Sequence, residues 1–435
     1  MNEAKRASWW AVVLAICVGC AAASRGFAQE AAKEQIDWNR ARQLYERSQR
    51  GETLSPEEKA YLERAKEERR KQGARPDAPK PPASQPPGEI DWDRAKRLLE
   101  MAKNGQTLSP EDQAYLDKAR EIRARATAAA KPSTGLIPLD QMTAQDKYKG
   151  EDGGLYGGGR NAPPEEHLKA AQAELARIRP LDAQGKPSPE GKIVLLSIGM
   201  SNTTQEFSKF KELADRDPAR SPQVVIVDGA QGGQDAARWS GGDARAWKVA
   251  EERLQAAGVT PQQVQAVWMK HARITPAKYG EFPKHAEELK GHILSSLNLA
   301  RERYPNLRVA CLSSRIYAGY AATPLNPEPY AYESAFVVRG LIQDQIRGNA
   351  ALNYDPAKGP VKAPVLLWGP YLWGDGTTPR KSDGLVWKRE DLAGDGTHPS
   401  TSGREKVARL LLSFFKTDPN AKGWFVGPTD GRRSP

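Results

Sequence analysis

Cysteine is scarce in this 435-residue chain: there are three, and Cys17 and Cys20 both lie in the apolar stretch near its start. With that stretch removed Cys311 stands alone, which excludes an intrachain disulfide and leaves stability to the core. Histidine is almost as rare. The five are scattered, with no pair at helical or finger spacing, so no metal centre is expected. No glycine-rich phosphate loop and no dinucleotide fingerprint occurs, so no cofactor is expected either. The net charge of +11 comes from 65 Lys and Arg against 54 Asp and Glu. Basic and acidic residues alternate, and no dense basic block with interleaved aromatics appears, which argues against a nucleic-acid partner.

Long hydrophobic runs are missing as well, apart from Trp9 to Gly19. That run comes after Lys5 and Arg6 and precedes small residues ending in Gly26-Phe27-Ala28. This is the pattern of a secretory signal over residues 1–28, and it predicts an exported protein at the periplasm, cell surface or exterior. The run is short for a span, so no stable membrane segment is expected after cleavage. An uncleaved anchor and a lipidated Cys20 are the alternatives.

The next hundred residues or so carry a duplication. Ile36-Asp37-Trp38 recurs as Ile90-Asp91-Trp92, Leu54-Ser55-Pro56-Glu57 as Leu108-Ser109-Pro110-Glu111, and Tyr61-Leu62 as Tyr115-Leu116, all at one offset. A constant offset marks a repeat and not chance composition. Each copy reads as a helical hairpin whose second helix opens on a Ser cap with Pro at the first helical position. The copies are expected over residues 29–71 and 89–125. A Pro-rich linker over 72–88 separates them, and a second linker over 126–159 leads onward. They read either as a module for an unknown partner or as a charged spacer.

From residue 160 to 420 the pattern becomes strand, helix, strand, helix, with a tail over 421–435. Apolar strands are expected at 193–198, 224–227, 264–269, 309–312 and 365–368. Helices are expected at 206–214, 244–257, 283–304, 330–347 and about 403–415, the last with a capping box from Ser402 to Glu405. Short apolar strands alternating with helices predict a three-layer α/β/α fold with a mainly parallel five-stranded sheet, preceded by the two α-helical hairpins. Ligands bind beyond the carboxyl ends of such strands.

Two stretches at those ends carry chemistry. Gly394-Asp395-Gly396-Thr397-His398 sets a carboxylate three residues before an imidazole. The Asp can hold one ring nitrogen and leave the other free to take a proton. Far upstream, the first strand runs into Gly199-Met200-Ser201-Asn202, which presents a serine hydroxyl at the sheet edge. After the second strand, Gly232-Gly233 lets backbone N–H groups approach a developing oxyanion.

Gly199-Met200-Ser201 near the start of the domain and Asp395-Gly396-Thr397-His398 near its end resemble the first and last blocks of the SGNH/GDSL-type hydrolase superfamily. They are most similar to its carbohydrate-esterase branch with sialate O-acetylesterase-like domains. The resemblance implies a carboxylic ester hydrolase with Ser201 as nucleophile, His398 as base and Asp395 as its partner, acting on an acylated carbohydrate or other small ester. It also implies Gly232 or Gly233 as an oxyanion donor. In the third block the branch has Gln after Trp-x, and here Lys270 stands in that place, with His271 as the alternative donor. Asn202, Arg315, Tyr317, Tyr332 and Glu333, with Tyr320 and Tyr330, form a polar and aromatic set suited to a sugar. The competing expectation is a non-catalytic glycan-binding or surface-attachment protein on the same fold.

Overall fold

A computed structural model describes residues 36, 40, 41, 44, 54–72, 90–104, 106–128 and 130–427. The expected signal segment, nearly all of the 72–88 linker, most of the first helix of the first repeat and residues 428–435 lie outside these. The chain divides into two compact units, Met1–Ser84 and Gln85–Pro435. In the first, helix α1 (Pro56–Gln72) starts on the expected cap. Ser55 Oγ accepts from the Glu58 N–H at 3.1 Å, and the Glu58 carboxylate accepts from the Ser55 N–H at 2.9 Å. Leu44, Leu54, Tyr61, Leu62 and Ala65 form its small core.

In the second unit the repeat gives α2 (Trp92–Lys103) and α3 (Pro110–Ala128). Ser109 caps α3 by accepting from the Asp112 N–H at 3.1 Å. Helix α4 (Glu165–Leu175), not expected from the sequence, leads into β1 (Ile193–Gly199). Then come α5 (Ser201–Asp215), β2 (Val224–Asp228), a short α6 (Ala236–Trp239), α7 (Arg245–Ala256) and β3 (Val264–Lys270). After α8 (Lys284–Arg303) come β4 (Val309–Leu312), α9 (Tyr330–Ile346) and β5 (Val365–Trp368), and the described chain closes with α10 (Thr401–Thr417) and α11 (Lys422–Phe425).

All five strands are parallel, in the order β2-β1-β3-β4-β5. Every residue of β1, β3, β4 and β5 is buried, so helices cover both faces. The chain reverses direction across the sheet between β1 and β3, and the carboxyl ends there open the crevice expected to hold ligand. Ser201 stands at that point.

Helix α5 begins five residues earlier than expected, so Ser201 is its first residue. Its apolar face carries Phe207, stacked on Trp268 of β3 at 5.5 Å, and Phe210, against Phe415 and Phe425. Phe425 and Trp424 are buried, so the described part of the expected C-terminal tail belongs to the core. The cap of α10 is Ser400 and not Ser402: its Oγ accepts from the Gly403 N–H.

The expected linker over 126–159 needs correction. Leu139, Met142 and Tyr156 belong to the main core. The Asp375 carboxylate gathers the Ser133 hydroxyl, the Thr134 N–H and hydroxyl at 2.6 Å each, and the Gly135 N–H at 3.0 Å. Arg339 of α9 pairs with Glu151 and Asp152. A stretch rich in Gly and Pro is here a strap, because its polar groups bond to the domain instead of to water. Asp375→Ala, which leaves several of those donors unpaired, is expected to lower stability by about 1–3 kcal/mol in urea unfolding at unchanged m-value.

Candidate active site

The site grows from the contact between two strand ends. A Cβ on Gly199 would lie 2.3 Å from the Lys270 carbonyl and 2.5 Å from Thr203 Oγ1. Only glycine allows β1 to turn there, and Thr203 Oγ1 donates to that same carbonyl at 2.8 Å. The Gly199 carbonyl accepts from the Gln231 N–H and the Trp239 indole, both at 3.0 Å. The loop after β2 is thereby tied to the turn that carries Ser201. As the first residue of α5, Ser201 has an N–H with no intrahelical partner, at the positive end of the helix dipole.

The histidine loop reaches the same place from the other end of the chain. Gly396 has φ +68°, and a Cβ there would lie 1.7 Å from the Tyr320 carbonyl, so the loop needs glycine at this point. Asp395 Oδ1 accepts the N–H groups of Thr397 and His398, each at 3.0 Å. Its Oδ2 lies 2.5 Å from His398 Nδ1, and His398 Nε2 lies 2.8 Å from Ser201 Oγ. Hydroxyl, imidazole and carboxylate form one continuous chain within general-base reach. Burial alone would raise Asp395, but the His398 ring and the two backbone donors outweigh it and hold the carboxyl below the ordinary range.

Asn202 and Arg315 line the cavity in front of Ser201, yet both are turned to the protein. Asn202 Nδ2 donates to the Thr397 carbonyl at 3.0 Å and Arg315 Nη2 to the same oxygen at 3.4 Å. The sequence offers them as substrate contacts; here they pin the histidine loop. Gly233, in the left-handed region at φ +70°, lines the cavity beside Ser201. Gly232 is exposed and does not line it.

The other expected contacts are not brought to the site. Tyr317 and Tyr332 are buried and donate to the carbonyls of Lys131 and Ile137 at 2.6 and 2.9 Å. Glu333 is fully buried among Tyr148, Lys149 and His285. Tyr320 donates to the Trp387 carbonyl at 3.3 Å, and Tyr330 packs edge-on to His285 at 4.8 Å. These residues hold α9 and the strap; they are not plates for a sugar.

Lys270 is also corrected. Its side chain is 0% exposed and pairs with Glu206 of α5, which is equally buried. Committed to that carboxylate, its ammonium does not reach the cavity as an oxyanion donor. Burial drives it down to about 8 despite Glu206, and drives Glu206 up despite Lys270. His271 is buried with neither ring nitrogen hydrogen-bonded, and burial takes it down to about 3. Its ring stays neutral and lies edge-on to Trp239 at 6.2 Å. Among the described residues no cluster of His, Cys, Asp and Glu is arranged to hold a metal ion.

Most of the cavity lining was not expected from the sequence, including Met200, Ile274, Leu325 and three residues of the helical repeat. Ile90, Trp92 and Ile122 of the second repeat line the cavity together with Ser201. The one signal was their apolar character on an otherwise charged hairpin.

No family model and no curated protein sequence matches the chain. Among solved structures it is similar to the lipase Lip_vut3 from a goat rumen metagenome, at 14% identity and a TM-score of 0.28 over 51% of this chain and 97% of that one. A Streptococcus pneumonia structure named for platelet activating factor matches at 15% identity and a TM-score of 0.27, over 57% and 94%. Likenesses this slight carry no weight for activity.

Removing the lysine should reveal which role it has. Lys270→Met leaves Glu206 buried without its partner and is expected to cost about 3–5 kcal/mol of stability. The double variant Lys270→Met/Glu206→Leu should recover most of that loss. Urea midpoints of the three proteins measure this, and a variant that loses turnover at wild-type stability would return Lys270 to the chemistry.

Proposed function

We propose that this chain is a serine ester hydrolase of the SGNH type. Ser201 attacks the ester carbonyl, and His398 takes the hydroxyl proton, gives it to the leaving alcohol and then activates water. Asp395 fixes the tautomer and balances the imidazolium. The N–H groups of Ser201 and Gly233 receive the oxyanion, aided by the dipole of α5. One observation carries the reading: the unbroken run from Ser201 Oγ to His398 at 2.8 Å and on to Asp395 at 2.5 Å. Supporting it are Gly199 and Gly396, each at a point where a side chain would collide with backbone.

A binding protein has no use for a hydroxyl, an imidazole and a carboxylate in series, so the competing glycan-binding expectation gains no support. The acylated-carbohydrate substrate keeps only the sequence resemblance in its favour, since Tyr317, Tyr320 and Tyr332 are in the core and the half-buried Tyr330 packs on His285. Export remains part of the proposal and rests on the basic and apolar N-terminal stretch. No helix among the described residues is long and apolar enough to cross a membrane.

The full-length protein should hydrolyse p-nitrophenyl acetate, and Ser201→Ala should lower kcat by at least about a thousandfold, with thermal unfolding nearly unchanged. A fluorophosphonate should label the wild type at Ser201, read by peptide mass spectrometry. Labelling at another serine, or turnover retained in Ser201→Ala, would refute the assignment.

A further inference from the structure

The cavity before Ser201 is a space of about 320 Å³, at the small end of the range for ligand sites. Part of its polar lining bonds to the protein, while Arg273 Nε, Arg315 Nε, Asn326 Oδ1, Thr397 Oγ1 and the Trp92 indole are buried without a hydrogen-bond partner. Asp235 pairs with Arg273, Asp395 holds His398, and Asn202 and Arg315 hold Thr397. The surface left for a ligand is mainly apolar. Met200, Ile274 and Leu325 come from the segments after β1, β3 and β4, and Ile90, Trp92 and Ile122 come from the second helical hairpin. Ile274 is 37% exposed, one of only three large apolar side chains so exposed among the described residues. An apolar surface of this kind, left open beside a nucleophile, is a binding surface.

The hairpin is fitted to the catalytic loop. Gly394 directly precedes Asp395, and a Cβ on it would lie 2.2 Å from the Trp92 ring. Ile90, Ala95 and Ala119 make the hairpin's own core, with Trp92, Tyr115 and Ile122 against it, and Tyr115 Oη accepts from the Asp91 N–H at 2.6 Å. The duplication supplies an independent comparison. Ile36, Trp38, Tyr61, Leu62 and Ala65 match Ile90, Trp92, Tyr115, Leu116 and Ala119, but the residue aligned with Ile122 is Glu68. The first copy thus carries a charge where the second presents an apolar side chain to the cavity.

The geometry points to the second hairpin as the wall of an acyl-chain subsite, so that the substrate is an ester of an aliphatic acid longer than acetic. This rests on the serine-hydrolase reading of Ser201, His398 and Asp395. The acyl side is favoured over the alcohol because Ser201 and Gly233, whose N–H groups receive the acyl oxygen, both line the cavity.

The test uses the full chain with p-nitrophenyl esters from acetyl to hexanoyl, and with acetates of a matching series of alcohols. Burial of each added methylene is worth up to about fourfold in kcat/KM. Wild type should therefore favour hexanoyl over acetyl by tenfold or more. Ile122→Glu, which installs the residue of the first repeat, should lower the hexanoyl-to-acetyl ratio of kcat/KM by at least about fourfold. Ile122→Leu should keep the preference. Equal loss on both esters in Ile122→Glu, or a flat acyl series in wild type, would overturn the inference, as would a chain-length preference confined to the alcohol series. Calorimetric titration with octanoate reads the cavity without turnover. Should wild type hydrolyse none of these esters and leave Ser201 unlabelled, the hydrolase reading fails by itself; octanoate binding that Ile122→Glu abolishes would still uphold the subsite, and binding that is absent or unchanged would end it.

Discussion

The carbonyl of Thr397 is the point on which the site depends. It accepts from Asn202, in the first turn of α5, and from Arg315, on the loop after β4. Three segments far apart in sequence meet at one oxygen, and the fold thereby sets the position of His398, the next residue. The Asp395 carboxylate works inside this frame. Its Oδ1 is occupied by two backbone N–H groups, so only Oδ2 remains for the ring. A loop held on both sides is preorganised, as the proposed hydrolysis requires.

Behind this frame lies a second buried polar layer. Lys270 at the end of β3 and Glu206 on α5 form an ion pair closed to solvent, with Arg315 near enough for its charge to favour the Glu206 carboxylate. Desolvation works against both members of the pair. Its worth is therefore geometric as much as energetic: it fixes α5 against β3, and so fixes the helix whose first residue is Ser201.

The second hairpin and the strap change what counts as the domain. Residues 130–160 close over α9 and the loop after β5 through Asp375, Glu333 and Arg339. The second hairpin, in the same compact unit, supplies one wall of the cavity. A fragment cut at the start of the sheet would lose both.

Much of this was legible in the sequence. Five runs of apolar residues located the strands almost to the residue, because a strand buried on both faces leaves little room for polar side chains. That Ser201, Asp395 and His398 would come together could be read because the proposed chemistry demands those residue types on glycine-bounded turns, and the repeat was plain from its constant offset. What the sequence could not disclose was direction. Whether Lys270 faces a substrate or Glu206, whether Tyr317 and Tyr332 line a pocket or a core, and whether Asn202 and Arg315 bind a ligand or a backbone carbonyl depends on which distant segment packs against each. Only the tertiary structure decided that, since a polar side chain near a sheet edge is satisfied by whichever partner the fold brings within about 3 Å.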